Sequence, residues 1–362
     1  MKITDVKATN LAKTTQTIVQ VYTDEGIVGV GHCDSTPHVR FIIEGDLKRV
    51  LVGRDPLEID VLWTAMYRGI AWHGLRGVSV HGMAAVDMAL WDIKGQKLGV
   101  PVWNLLGGRY RDKVIPYASL TPLSFTPYKP SERAAKYRDL GFRAVKFGWG
   151  DFGRISVEKD VELVKAVREG AGDDVKVIID AGRPWGCTPS WVRRTAEKIE
   201  KYDVFFLEEP LSPDDIDGFV EVKASVDLPI STGETMAALQ EFRTLIDRRA
   251  VDILQPDPSR VGISQWKTIA KMAEMANMMC IPHDWSTGVN IIAQIHLVAS
   301  IPNGGYVEYM RPPPGKENSV EADLMDRLLT EPFELRNGYF EVPNKPGLGI
   351  ELDERILTKY AV

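Results

Sequence analysis

Short apolar runs open this chain, give way to helical spacing, and then return in a regular series. Thr17-Ile18-Val19-Gln20-Val21-Tyr22-Thr23 is rich in β-branched residues, and Asp24-Glu25-Gly26 supplies a turn before Ile27-Val28-Gly29-Val30. The first ~35 residues therefore read as a β-hairpin. From about Arg40 to Leu106 the spacing is helical, with Ala84, Met88, Trp91 and Ile93 on related faces of a helix over His81 to Lys97. Gly99 and Pro101 stop that helix and Gly107-Gly108 closes the region. Strands followed by helices, without alternation, predict an α+β domain over 1–112.

Beyond residue 112 the pattern alternates. Apolar runs begin at Val114, Ala144, Val177, Phe205, Leu228, Asp252, Met279 and Tyr306, roughly 23–33 residues apart, near the length of one β/α unit. Helical stretches follow most of them, as where Val157, Val161, Val164 and Val167 line one face. Ser212-Pro213-Asp214-Asp215 reads as an N-cap with Pro in the first turn. The series predicts a (β/α)₈ barrel over 113–324. The tail, about 325–362, ends in turn and strand signals around Pro346-Gly347-Leu348-Gly349-Ile350-Glu351 and is expected to fold back and complete the first domain.

Charged residues mark the ends of these runs. Lys146 lies in the second, Asp180 ends the third, Glu208 the fourth, and Glu234 follows the fifth; Asp257, His283 and Glu308 belong to the sixth, seventh and eighth. In a barrel all of these would meet at one mouth, the face where active sites sit. Asp180, Glu208 and Glu234 form an all-oxygen set on consecutive strands, which suits a hard cation such as Mg²⁺ rather than zinc. A single acid after a strand is ordinarily a helix cap or a solvated loop; three in succession, followed by Asp257 and His283, call for another explanation. Gly148-Trp149-Gly150-Asp151-Phe152-Gly153 matches a dinucleotide-binding fingerprint. That reading, which would make the chain a nicotinamide-dependent oxidoreductase, leaves Glu208, Glu234, Asp257 and His283 unexplained.

Composition narrows the partners. The 362 residues are 44% hydrophobic and 26% charged with a net charge of −6, a balance that argues against nucleic acid as a partner. No apolar run approaches the ~20 residues of a membrane span, so no membrane partner is expected. The start lacks the apolar core of a secretory signal, and a cytoplasmic location is expected. Cys33, Cys187 and Cys280 are too scattered for a disulfide framework or a zinc knuckle.

Ala85-Val86-Asp87-Met88-Ala89-Leu90-Trp91-Asp92-Ile93-Lys94-Gly95, Leu207-Glu208-Glu209-Pro210, Thr232-Gly233-Glu234, Gln255-Pro256-Asp257 and Pro282-His283, in this order, resemble the mandelate racemase-like branch of the enolase superfamily. The resemblance implies an α+β cap over a modified (β/α)₈ TIM-like barrel, commonly as a homo-oligomer. It implies Mg²⁺ bound by Asp180, Glu208 and Glu234, and an acid/base dyad in which Asp257 orients His283. It matches Lys146 to the first lysine of a Lys-x-Lys pair and Glu308 to a carboxylate near the substrate's own. Cap segments at Thr14–Gln16 and at Trp72 and His73 would shape specificity. Apart from the resemblance, Arg183 and Arg260 read as groups that bind the substrate or support those that do. The second lysine of the pair is Gly148 here. Glycine moves no proton, so two-base racemisation is disfavoured. The chemistry expected is removal of the proton α to a carboxylate through an ene-diolate, then loss of the β-hydroxyl to give a 2-keto-3-deoxy acid. The expectation is a Mg²⁺-dependent sugar-acid dehydratase acting on an aldonate or aldarate, a small-molecule carboxylate, with an epimerase, racemase or cycloisomerase as the alternative. Glu209 reads as a structural partner, and His296, inside an apolar helical stretch, as a buried helix residue.

Overall fold

The computed structural model describes residues 1–182 and 187–362. The amino-terminal sheet has three antiparallel strands, β1 (Ile3–Asn10), β2 (Gln16–Thr23) and β3 (Val28–Asp34), in that order. The hairpin expected from the sequence is β2–β3, and β1 adds a strand on its other side. Its signal is broken by a register shift between Ile3 and Asp5, which takes the buried Ile3 and Val6 out of the alternation that marks a strand.

The helix Val78–Leu98 packs on this sheet and ends at Gly99 in the left-handed conformation. Its approach depends on β3 glycines. A Cβ at Gly31 would lie 1.9 Å from the Ala85 carbonyl oxygen, and one at Gly29 would lie 2.1 Å from that of Ala89. The same helix reaches across to the helix Pro258–Met275, where Asp87 accepts from the backbone N–H of Ser264 at 2.9 Å.

Among the described residues, eight parallel strands follow: β4 (Lys113–Leu120), β5 (Ala144–Gly148), β6 (Lys176–Asp180), β7 (Val204–Glu208), β8 (Ile230–Thr232), β9 (Ile253–Leu254), β10 (Met279–Cys280) and β11 (Tyr306–Arg311). They pair in sequence from β4 to β10, with β11 returning beside β4. Such an order curls the sheet into a barrel and differs from a doubly wound dinucleotide sheet. Between β10 and β11 the seam is an N–H···O bond from Cys280 to the Asn303 carbonyl, 2.9 Å. The tail adds β12 (Phe340–Glu341), antiparallel to β4. It then returns to the cap, where the Leu348 N–H donates to Asp92 at 2.8 Å and the Val362 N–H to the Asn10 carbonyl at 3.0 Å.

One helix start differs from the reading above. Asp215, not Ser212, caps the helix Ile216–Lys223 by accepting from the Gly218 N–H. Ser212 and Pro213 form the turn before it. Among the described residues no helix is long and apolar enough to cross a membrane.

Candidate active site

Three strand ends set the geometry. Asp180 ends β6 and is paired in register with Glu208, which ends β7; Glu234 follows β8 by two residues. Lys146, central in β5, extends its ammonium among the carboxylates: 2.9 Å from Glu208 Oε1, 2.6 Å from Glu308 Oε1 and 3.8 Å from Asp180 Oδ2. All four side chains are buried. Glu308, on β11, also accepts from the Tyr117 hydroxyl at 3.1 Å and from the Asp284 N–H at 2.9 Å.

The second half of the site lies on the facing strands. Asp257 follows β9 and caps the helix Pro258–Met275 through the Ser259 N–H, while its Oδ2 holds His283 Nδ1 at 2.9 Å. The other imidazole nitrogen, Nε2, stands 3.4 Å from Glu234 Oε2. Asn290, near the start of the helix Gly288–Ala299, donates to Asp257 Oδ1 at 3.1 Å and to Asp284 Oδ1 at 2.7 Å. The dyad is thus anchored through Asn290 and Asp284 to the Glu308–Lys146 pair.

Electrostatics follow from burial and partners. Burial pulls the His283 imidazole down, but Glu234 and the Asp257 bond outweigh it and hold the group well above its ordinary pKa. Burial works against Asp257, yet its bond to His283 keeps it at about 2. Desolvation raises Asp180 to about 6, against the pull of Lys146 and with the push of Glu234. Glu208 is raised well above its usual range for the same leading reason. Lys146 stays protonated: burial opposes its charge, and Glu208 and Glu308 overcome that opposition.

Among the described residues Lys146 is the cation shared by three buried carboxylates, Glu208, Glu308 and Asp180. Among the described residues no group of three His, Cys, Asp or Glu side chains already stands as a metal cage; in its place the Lys146 ammonium bridges Glu208, Glu308 and Asp180. The donor chemistry of Asp180, Glu208 and Glu234 still fits a hard divalent cation, as hard all-oxygen ligands on neighbouring strands.

Gly148 has a packing reason to be glycine. A Cβ there would lie 2.6 Å from Asp180 Cβ and 2.9 Å from its Cγ, so a lysine at this position requires the strand ends to move. Trp149 follows with left-handed backbone and donates its indole N–H to Asp180 Oδ2 at 3.2 Å. The fingerprint loop is filled by the protein itself, since a Cβ at Gly150 would meet the Ser124 hydroxyl at 2.5 Å.

The remaining sequence candidates separate clearly. Arg260 donates to Asp34, at the end of β3, at 3.1 Å. Gln16 donates to Asp34 and to the Trp285 carbonyl, two residues beyond His283. Trp72, by contrast, is 98% exposed, and His73 reaches Asp46 of the cap at 3.6 Å; the structure does not bring this pair to the strand-end cluster. Arg183 lies outside the described residues. Glu209 accepts from Thr232 at 2.5 Å, and His296 bridges the Trp103 N–H and the Leu348 carbonyl. Sequence reasoning missed Asp34, Tyr117, Asp284 and Asn290. Of these, only Tyr117 and Asp284 carried a signal, by lying within a barrel run and beside His283.

A curled parallel sheet, with a buried Asp257–His283 pair facing a lysine–carboxylate cluster under an α+β cap, is the architecture of a barrel enzyme. Its family is also clear from comparison: residues 3–107 match the mandelate racemase / muconate lactonizing enzyme N-terminal domain, and residues 130–356 the enolase C-terminal domain-like family. The chain belongs to the enolase superfamily, in its mandelate racemase branch. It is 32% identical to the D-galactarolactone cycloisomerase of Agrobacterium fabrum, covering 95% of this chain and 90% of that one. It is 33% identical to the arabinonate dehydratase of Saccharolobus solfataricus, covering 94% and 89%. Among solved structures, the 3,6-anhydro-D-galactonate cycloisomerase of Zobellia galactanivorans matches with a TM-score of 0.87 at 30% identity over all of both chains. A racemase from Streptomyces coelicolor A3(2) with bound magnesium matches at 0.85 and 26% identity, over 99% of this chain and 100% of that one.

Proposed function

We propose that this protein is a Mg²⁺-dependent sugar-acid dehydratase in which His283 is the single base. The observation that carries this is the pairing of a buried Asp257–His283 dyad with a glycine, Gly148, packed against Asp180 where a second base would stand. Asp180, Glu208 and Glu234 would hold the cation. When bound, it supplies positive charge for the substrate carboxylate and cancels the Glu234 charge that otherwise keeps His283 protonated.

The α-proton of a carboxylate is hard to remove because a second negative charge develops on the same group. Lys146 offers its ammonium to that charge from β5. Asp257 holds Nδ1–H of His283, which fixes the tautomer and aims Nε2 at the α-proton. The resulting imidazolium is stabilised by Asp257 and then donates its proton to the departing β-hydroxyl. Water leaves, and the enol tautomerises to a 2-keto-3-deoxy acid. Tyr117 and the Asp284 N–H fix Glu308 and, through it, Lys146.

The resemblance to two cycloisomerases supports a second reading, in which the same abstraction expels or captures a ring oxygen. Incubation with aldonates and Mg²⁺, with 2-keto acid read directly, separates the two. Keto acid that disappears on chelation supports the dehydratase; turnover of lactones or anhydro acids alone contradicts it.

A further inference from the structure

Four strands away from Lys146 in the sheet order, the site is finished by residues of the cap. Arg260 lies in the first turn after Asp257, and its guanidinium donates to Asp34 Oδ2 at 3.1 Å. Asp34 Oδ1 accepts from the Thr15 hydroxyl at 2.5 Å and from Gln16 Nε2 at 3.1 Å. Gln16 in turn meets His32 Nε2 at 2.6 Å. Beside this wall a cleft of about 440 Å³ opens between Thr15 and Gln16 of the cap and Trp285 and Ser286 of the barrel.

Resting on the dehydratase reading, we propose that the Asp34–Arg260 pair sets the substrate class: it makes the far end of the site a hydroxyl-binding surface that selects monocarboxylic sugar acids over dicarboxylic ones. The Arg260 charge is already matched by Asp34, and it also faces Asp257 and Glu234. A second substrate carboxylate arriving at Arg260 meets a guanidinium already paired with Asp34 and stands beside the charges of Asp257 and Glu234. Lys13, which also lines the cleft, is exposed and its charge is screened by water. The two buried histidines of the cap add no charge, because burial lowers His32 to about 4 and His81 to about 3.

A hydroxyl suits the same place. The Arg260 Nε–H is buried without an acceptor among the described residues, an arrangement that leaves a donor for a ligand oxygen. The hydroxyl's own proton can turn toward Asp34. Donor and acceptor then serve one alcohol group, which a carboxylate, lacking a proton, does not match.

The test is calorimetric binding of an aldonate and the aldarate of the same configuration to the Mg²⁺-loaded protein, with turnover measured alongside. The wild type is expected to bind the aldonate at least tenfold more tightly. Asp34→Asn, which frees the Arg260 charge, is expected to narrow that ratio by tenfold or more. Equal or tighter aldarate binding by the wild type, or an unchanged ratio in Asp34→Asn, would overturn the proposal. Should Asp34→Asn fail to fold, Arg260→Gln is expected to weaken aldonate binding about tenfold at saturating Mg²⁺; unaltered aldonate binding overturns the proposal equally. Aldonate preference without any keto acid would support the pair's role and contradict the dehydratase reading.

Discussion

Asp87 and Asp92 in the cap helix are buried as deeply as Asp180 and Glu208 at the barrel mouth, yet the two pairs are wired differently. Asp87 accepts from the N–H and hydroxyl of Ser264. Asp92 accepts from the Val30 N–H at 2.9 Å, the Leu348 N–H at 2.8 Å and Gln96 at 3.0 Å. Neutral donors from different parts of the chain converge on them, and desolvation raises Asp87 to about 7 and Asp92 to about 6. They tie the cap to the barrel helix and to the tail. The mouth carboxylates Asp180, Glu208 and Glu308 instead surround a charged donor, the Lys146 ammonium. Burial alone therefore does not distinguish structure from chemistry; the charge of the partners does.

The contrast can be broken by substitution. The largest effect belongs to the dyad: His283→Asn should lower the kcat of keto-acid formation about 10³-fold in protein that circular dichroism shows to be folded, and retention of activity would remove His283 as base. Lys146→Met leaves Glu208 and Glu308 buried without their cation, and should cost about 3–5 kcal/mol of unfolding free energy in metal-free protein. Denaturant titration with and without Mg²⁺ should show part of that loss recovered by the metal.

At the cap, pH is the lever. Asp87 has a folded pKa raised from the unfolded 3.8 to about 7, so the folded state binds more protons between those values. Stability should be greatest below the unfolded pKa and fall as pH rises through the folded one, by on the order of 4 kcal/mol. Asp87→Asn should flatten that slope in thermal melts at pH 4 to 7. The smallest effect on turnover is Asp92→Ala, which orphans the buried Val30 and Leu348 N–H groups at about 1–3 kcal/mol of stability each while kcat stays within about twofold of the wild type, the size of change a group outside the mouth gives.

Much of this organisation was legible in the sequence. All eight barrel runs contain or adjoin an observed strand, because a strand buried on both faces needs a short continuous apolar run. The strand-end polar residues were legible for the same reason: the run stops where the chain reaches the mouth. β1 was not, since its register shift breaks the alternation. The cap of Ile216–Lys223 was ambiguous because Ser212 and Asp215 are both good caps, and only the turn geometry chooses between them. Asp34 and Asn290 had no local signature. Their roles arise from contacts with residues 226 and 33 positions away, which only the folded chain brings together. Trp72 and His73 differ again: an aromatic and an imidazole on a cap turn drew attention by their chemistry, and the structure places them at an exposed turn of the cap, with His73 beside Asp46.

The central claim is one-base chemistry with Mg²⁺. It is tested most directly by following an aldonate in D₂O with the Mg²⁺-loaded protein, reading keto acid, deuterium at the α-carbon and the α-epimer together. The account predicts keto acid, with any deuterium in recovered substrate at retained configuration, and neither in His283→Asn. Accumulation of the α-epimer without keto acid would contradict it, because inversion requires a second base on the face where Gly148 stands.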